Sequence, residues 1–251
     1  MAAVRPLAII ATYNDLDIAP QVVRKLLQDE IDVHILDNWS SDGTYEALAK
    51  LNLHSIERFP ASGPSRYFKL HPILRRKEDI AAQFPGRWII NQDSDEIRCS
   101  PWPGVGLSEG IGRVSDAGFN AINFDVLSFR PVDDLFRPGD DPEAHFRYFE
   151  RGNSVIGQVQ AWRQPKRRVT LSTTGGHQAI FDGRRIFPEH FLLKHYCFRH
   201  PVQARRKVFE ERISRLDPEE RAMGWHIHYD RYSPEDDFIW DPTRLTQFPA
   251  V

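Results

Sequence analysis

The chain contains little cysteine and no long hydrophobic run. Two cysteines, Cys99 and Cys197, occur among 251 residues, which is too few for a disulfide framework. No apolar stretch approaches the roughly 20 residues that a membrane-spanning helix needs. The N-terminal residues also lack the basic-then-apolar order of a secretion signal. We therefore expect a cytoplasmic protein without an integral membrane segment.

An excess of positive charge is also missing. Lys and Arg number 33 and Asp and Glu number 35, so the formal net charge is −2. Nucleic-acid-binding proteins usually carry a strong basic excess, so we expect no nucleic-acid partner. The hydrophobic fraction of 41% and the charged fraction of 27% are ordinary for a globular protein. The length suffices for one large core, and we predict a single domain over residues 1–251.

Strand-like and helical patterns alternate through the first half of the chain. Short apolar runs without alternation are typical of strands covered on both faces, and the segments between them show helical spacing. In chain order, the predicted strands and helices occupy residues 7–12, 18–28, 33–36, 45–51, 66–84 and 87–91. This alternation predicts an α/β fold with a Rossmann-like, doubly wound sheet.

The second half reads as a smaller β/α part with shorter elements. Its predicted strands occupy residues 119–129, 158–162, 169–172, 177–181 and 191–196. The Pro- and Asp-rich segment 131–143 is predicted to be a long surface loop. A charged helix is predicted over 201–216, with Pro201 in its first turn. The aromatic residues of the C-terminal tail are expected to pack onto the body: Tyr229, Tyr232, Phe238 and Trp240.

Three carboxylates crowd the end of the strand predicted at 87–91. They belong to the sequence Asp93-Ser94-Asp95-Glu96. Ligands of open α/β sheets bind beyond the carboxyl ends of strands, and like charges this close repel unless a cation lies between them. Mg²⁺ and Mn²⁺ prefer oxygen ligands and are often held by one or two carboxylates together with phosphate oxygens. The cluster therefore predicts a divalent-cation site, whereas an ordinary solvated turn is the alternative.

Three ordered motifs resemble those of family-2 glycosyltransferases of the GT-A fold. They are Ala-Thr-Tyr-Asn-Asp at 11–15, Asp-Asn-Trp-Ser-Ser-Asp-Gly-Thr at 37–44, and the Asp-Ser-Asp-Glu cluster at 93–96. The second half is similar to a bacterial subgroup through Gly-Gly-His at 175–177, Lys-His-Tyr at 194–196 and Gly-Trp-His at 224–226. The resemblance implies a GT-A-type sheet, a nucleotide-sugar-binding half at 1–100 and an acceptor-side half at 101–251.

The resemblance also implies roles for individual residues. Asp95 would bind Mn²⁺ or Mg²⁺ directly and His195 would complete the coordination. The donor would be a UDP-, GDP- or dTDP-linked sugar, and the acceptor a glycan, a lipid-linked molecule or a small molecule. The expected donor-binding residues are Thr12, Tyr13, Asn14, Asp37, Asn38, Asp42, Arg66, Asp93 and Ser94. The resemblance points to bacterial surface-glycan or lipopolysaccharide synthesis, in the cytoplasm or at the inner face of the membrane.

Transfer of a sugar needs a stabilised leaving group and a proton acceptor. Basic side chains on the stretch 66–84 are candidates to pair with the diphosphate, namely Arg66, Lys69, Arg75 and Arg76. For an inverting reaction, a carboxylate or a histidine must take the proton of the acceptor hydroxyl. The Glu-Asp pair that serves many inverting members is missing here. Glu189 and His177 are our candidates, and Asp133 and Asp134 compete with them.

Two further functions stay open from the sequence. The histidines at 177, 190, 195 and 200 together with Cys197 would suit a zinc-dependent metallohydrolase or a nucleotidyltransferase, although tight zinc-ligand pairs are missing. A nucleotide-sugar-binding module without catalysis would explain the missing Glu-Asp pair. The first motif also departs from the family, since Asp15 stands where a glutamate is usual.

Overall fold

The computed structural model describes residues 5–151 and 157–249. In these residues the strands are β1 (Leu7–Thr12), β2 (Asp32–Asp37), β3 (Ser55–Arg58), β4 (Trp88–Asp93), β5 (Glu96–Cys99), β6 (Ala121–Phe129), β7 (Tyr148–Arg151), β8 (Gln158–Arg163), β9 (Phe191–His195) and β10 (Thr246–Gln247). The helices are α1 (Ala19–Gln28), α2 (Thr44–Leu48), α3 (Leu70–Ala81), α4 (Leu107–Asp116), α5 (Pro142–His145), α6 (Pro201–Arg205) and α7 (Pro218–Ala222).

The strands form one mixed sheet in the order β10-β7-β6-β8-β4-β1-β2-β3. Strands β3, β2, β1 and β4 are parallel, and β8 joins β4 in the antiparallel direction. Strand β9 runs parallel to β6 and antiparallel to β5, with His195 paired to Glu96. This pairing brings the end of β9 to the acidic cluster that follows β4.

Hydrophobic residues cover both faces of the parallel strands. Ala8 and Ile10 pack in one core cluster with residues of α1 and α4, whereas Leu7 and Ile9 pack in the other with residues of α3. Successive side chains of a strand point to opposite faces, so a strand that is buried on both faces needs an unbroken apolar run. The predicted α/β fold with a mixed sheet is confirmed.

Several predicted boundaries need correction. The helix predicted at 66–84 begins at Leu70, and the strand β3 was not predicted. Residues 169–172 and 177–181 are not ladder strands; they contribute isolated bridges, Thr170 to Ile180 and Val159 to Gln178, around a 3-10 turn at Ser172–Thr174. The predicted loop at 131–143 is confirmed except that its end enters α5.

The C-terminal region is helical and aromatic, as expected. The helix predicted at 201–216 starts as α6, continues as a π-helix at Arg206–Arg212 and ends in a 3-10 turn at Ile213–Arg215. Tyr229 and Phe238 are buried in a cluster against which Tyr232 and Trp240 pack. None of the described helices combines the length and apolarity required to cross a bilayer.

Candidate active site

A cavity of about 710 Å³ opens at the carboxyl ends of β1, β2 and β4. The C-terminal residues 224–232 and the turn at 173–177 contribute to its walls. Ligand sites of α/β sheets commonly occupy this position. The predicted site residues that line it are Thr12, Tyr13, Asn38, Asp93, Ser94, Asp95, His177 and His195.

Two predicted donor-binding residues instead hold neighbouring loops together. The Asn14 side chain donates to Glu211 Oε1 at 2.9 Å and accepts from the Ser41 amide at 2.8 Å. Asp42 accepts from the amides of Leu16 at 3.1 Å and Thr44 at 3.0 Å. Neither residue lines the cavity. These two motif residues therefore stabilise the loops that carry the lining residues.

Arg66 and Glu189 lie away from the cavity. Arg66 is exposed, and its guanidinium lies 5.4 Å from the centre of its neighbour's ring, Tyr67. Glu189 is exposed and precedes β9, whereas His195 ends that strand. An extended chain rises about 3.3 Å per residue, so the two ends of this segment are about 20 Å apart. The structure does not bring either residue to the predicted site.

The other predicted phosphate-binding cations are already paired with carboxylates. Lys69 lies 3.1 Å from Asp217, and Arg75 lies 3.2 Å from Glu78. Arg76 donates twice to Glu57, at 2.8 and 2.9 Å. None of these three lines the cavity. Its lining cations are Lys77, Arg130, Lys207, Arg212 and Arg231.

Three buried polar atoms at the ends of β1 and β2 have no hydrogen-bond partner among the described residues. They are Thr12 Oγ1, Asp37 Oδ1 and Asn38 Oδ1. Asp37 does not itself line the cavity, but its other oxygen accepts from the Ser40 amide at 3.0 Å, which fixes the carboxylate. Burial raises the pKa of Asp37. Buried polar groups are nearly always satisfied in native proteins, and Thr12 and Asn38 line the cavity, so Thr12 Oγ1 and Asn38 Oδ1 are available to a polar ligand.

Asp95 is a buried carboxylate with two distinct sides. Its Oδ2 accepts from the Lys207 ammonium at 2.6 Å, and Arg199 Nη1 lies 3.8 Å from the same oxygen. Its Oδ1 lies 3.6 Å from His195 Nε2. Burial by itself would raise the pKa of Asp95, but the positive charges of Lys207 and His195 outweigh it and hold the pKa well below its usual value.

Asp95 and His195 are spaced for a shared cation. A separation of 3.6 Å is too long for a direct hydrogen bond. Both atoms can nevertheless bind one divalent cation, because metal bonds to carboxylate oxygen and imidazole nitrogen are about 2.0–2.2 Å long. Lys207 leaves this side of the carboxylate open, since it holds the other oxygen. The geometry fits the predicted metal ligands.

Cys197 belongs to the same cluster. Ligand atoms of Asp95, His195 and Cys197 all lie within 4.8 Å of one another. Burial raises the pKa of the Cys197 thiol, but the charge of Lys207 and the hydrogen bond with His195 outweigh it and lower the pKa to about 7. The sequence indicates this cluster, because Cys197 lies two residues after His195, the last residue of β9.

Lys77 is a second buried cation beside the cluster. Its ammonium donates to Asn91 Oδ1 at 2.7 Å and to the Gln92 carbonyl at 2.9 Å, and lies 3.6 Å from Asp93 Oδ1. Burial lowers the pKa of Lys77. The sequence indicates that Lys77 is buried, because it lies four residues after the apolar Ile73 and therefore on the same face of α3.

Comparison with known proteins gives a distant likeness. No protein-family model matches this sequence, and no curated protein matches it. Among solved structures, mannosyl-3-phosphoglycerate synthase from Rubrobacter xylanophilus is similar with 14% identity and a TM-score of 0.34. The likeness covers 52% of this chain and 42% of that one, so the chain spans less than half of the neighbour's length. A likeness this distant identifies neither activity nor substrate.

Proposed function

We propose that this protein is a metal-dependent, inverting glycosyltransferase that moves a sugar from a nucleoside-diphosphate donor to an acceptor hydroxyl. The observation that carries the proposal is one cavity with two complementary parts. Unpartnered polar atoms lie at the ends of β1 and β2, and a carboxylate–imidazole pair, Asp95 and His195, lies where β5 pairs with β9. A nucleoside would satisfy the first part, and a cation with its diphosphate would occupy the second.

The nucleoside would bind at Thr12, Tyr13 and Asn38, which line the cavity, with Asp37 buried behind them. A pyrimidine or purine base offers an N–H donor for an amide oxygen and a carbonyl acceptor for a hydroxyl. Tyr13 is held from one side by the Arg215 guanidinium, 4.3 Å from its ring centre. Its ring is therefore positioned to face a flat heterocycle.

Asp95 and His195 would hold the cation, with Asp93 beside the diphosphate. When bound, Mn²⁺ or Mg²⁺ would neutralise the negative charge of the departing diphosphate. Lys207 fixes the Asp95 carboxylate through Oδ2. Arg212 and Arg231 line the cavity as further positive charges and would pair with phosphate oxygens.

The chain would act as one domain, with residues 101–251 shaping the site of a glycan, lipid-linked or small-molecule acceptor.

Calorimetric titration tests the donor assignment. We expect UDP, GDP or dTDP to bind in the presence of Mn²⁺, and the matching nucleotide sugar to turn over to free nucleoside diphosphate. Asn38→Ala should weaken nucleotide binding about tenfold, because it removes a buried hydrogen-bond acceptor worth about 1–2 kcal/mol. The proposal would be rejected if none of the three nucleotides bound the protein with Mn²⁺ present.

A zinc-dependent hydrolase is the second candidate function. The cluster of Asp95, His195 and Cys197 contains the nitrogen and sulfur ligands that zinc prefers. Such an enzyme would transfer the sugar to water, and it would retain zinc through purification. Metal analysis of the purified protein and identification of the sugar product distinguish it from a transferase.

Cobalt substitution measures the part played by Cys197. If its thiolate binds the cation together with Asp95 and His195, Co²⁺ should produce a near-ultraviolet charge-transfer band from sulfur to metal. Cys197→Ser should abolish the band while Mn²⁺ still binds, because Mn²⁺ favours oxygen ligands. Cys99→Ser is the matched control and should keep the band. A band that survives in Cys197→Ser would remove Cys197 from the ligand set.

A further inference from the structure

His226 lines the same cavity and is paired with a carboxylate. Its Nε2 lies 3.3 Å from Glu220 Oε2, and the side chains of the two residues are 9% and 5% exposed. The imidazole packs edge-on against Phe68, with ring centres 5.4 Å apart. This carboxylate–imidazole pair lies outside the cluster of Asp95, His195 and Cys197, and nothing in the donor assignment uses it.

The Glu220 carboxylate is held in place by hydrogen bonds from the backbone. Its two oxygens take hydrogen bonds from the amides of Leu70 and His71, at 2.9 and 2.8 Å, where α3 begins. Burial would raise the pKa of Glu220, but the hydrogen bonds from His226 and the two amides outweigh it and lower the pKa. The carboxylate is therefore ionised and immobile, as a residue that orients a histidine must be.

The backbone at His226 is held in an unfavourable conformation. Its φ of 63° lies in the left-handed region, which costs a non-glycine residue about 1 kcal/mol or more. Gly224, two residues earlier, also has a positive φ, of 81°. The two residues turn the chain so that the His226 ring meets both Glu220 and the cavity. Strain of this kind is concentrated at functional sites.

The second ring nitrogen is free to act on a ligand. Among the described residues, the His226 ring makes its hydrogen bond through Nε2, to Glu220, and Nδ1 makes none. If the ionised Glu220 accepts the Nε2 proton, the neutral ring carries its lone pair on Nδ1. This is the arrangement that a general base requires, with one nitrogen held by a carboxylate and the other available to a hydroxyl proton.

We infer that His226, oriented by Glu220, is the general base that deprotonates the acceptor hydroxyl. The inference rests on the proposed glycosyltransferase function. The hydroxyl proton passes to Nδ1 as the acceptor oxygen forms its bond to the anomeric carbon of the donor sugar. The bond from that carbon to the diphosphate oxygen breaks, and the diphosphate leaves with the electron pair. Glu220 stabilises the imidazolium that results.

Other cavity-lining groups are less suited to this role. Asp15 accepts from Ser94 at 2.6 Å and from Arg199 at 2.9 Å, and Glu96 lies 2.9 Å from Arg98. Asp93 and Asp95 belong to the proposed cation and diphosphate site. His177 contacts the Gln158 amide at 3.0 Å, so no carboxylate among the described residues stabilises its protonated form.

Replacement of His226 by glycine tests the base directly. Glycine adopts the positive φ without strain and leaves space for an imidazole molecule. We expect kcat to fall about 10³-fold and added imidazole to raise the variant's kcat at least tenfold. The nucleotide that binds the wild type with Mn²⁺, whether UDP, GDP or dTDP, should bind the variant within twofold of the wild-type affinity. His71→Gln is the matched control, because its exposed ring is nearby and its backbone amide still donates to Glu220.

Glu220→Gln tests the positioning residue through its separate effects on kcat and on KM. We expect kcat to fall about tenfold with KM unchanged, because the amide cannot stabilise an imidazolium as a carboxylate does. If His226→Gly lowers stability too far, His226→Asn serves instead, since asparagine tolerates the left-handed region. Wild-type turnover in either variant of His226 would overturn the inference, as would a loss that imidazole does not restore in a folded, nucleotide-binding protein. Absence of turnover in the wild type would instead reject the proposed function.

Discussion

Replacing Asp95 with asparagine is expected to lower turnover about 10³-fold, which corresponds to about 4 kcal/mol of transition-state stabilisation. Asparagine keeps the shape of the side chain but removes the negative charge that would hold the cation in the proposed site. Binding of Mn²⁺ should weaken as well, because only His195 and Cys197 of the cluster keep their ligand character. Initial rates at saturating Mn²⁺ and nucleotide sugar, together with Mn²⁺ titration, measure both effects.

The same substitution should also lower stability, for a separate reason. Asp95 compensates the buried ammonium of Lys207 at 2.6 Å, and the fully buried guanidinium of Arg199 lies 3.8 Å away. Removing one partner of a buried pair leaves an uncompensated charge. Adding Lys207→Met to Asp95→Asn removes one of these charges, so the double variant should regain stability in urea and remain inactive. Recovered turnover in the double variant would contradict the assignment of Asp95 to the cation site.

Local sequence patterns predicted the sheet because burial on both faces demands unbroken apolar strands. Residues 169–172 show why such patterns fail elsewhere. The amides of Leu171 and Ser172 are satisfied by a side chain, since both donate to Glu78 Oε1 at 2.8 Å, and only Thr170 pairs with a backbone carbonyl, that of Ile180. Gly175 and Gly176 then take positive φ values of 63° and 86° and turn the chain. An apolar run thus lies at the sheet without joining its ladder, and nothing within the run itself reveals this.

The candidate site was partly visible from the sequence for a similar reason. Asp95 and His195 were predicted as partners from ordered motifs, and the pairing of β5 with β9 brings them to 3.6 Å. Lys207 was not predicted, because it contacts Asp95 across 112 residues from within a π-helical turn. The partnership of Glu220 with His226 was equally hidden, since it depends on a left-handed residue. Spacing along the chain does not encode contacts of this kind.

Replacing Arg199 with methionine is expected to lower the free energy of unfolding by about 3–5 kcal/mol at neutral pH. The guanidinium is fully buried and donates to Asp17 at 2.7 and 2.8 Å and to Asp15 at 2.9 Å. Methionine fills a similar space but removes the guanidinium from both buried carboxylates, and Asp15 keeps only its hydrogen bond from Ser94. Urea unfolding followed by circular dichroism measures the loss. Arg221→Met is the matched control, because Arg221 makes the same bidentate contact with Asp230 at 2.9 and 3.0 Å on the surface, where ion pairs contribute little.

Acid should reduce the difference in the free energy of unfolding between the wild type and Arg199→Met. Burial raises the pKa of Asp17, but Arg199 outweighs it and lowers the pKa below 3.8. A carboxylate with a depressed folded pKa contributes stability above its unfolded pKa, and this contribution is lost as the pH falls through the folded pKa. In the variant, Asp17 keeps the burial but loses the guanidinium, so its pKa rises and its protonation relieves the unpaired charge. The two stabilities should therefore converge below about pH 4. A difference that stays constant as the pH falls below about 4 would contradict this prediction. It would show that Arg199 stabilises the fold through packing and not through its charge.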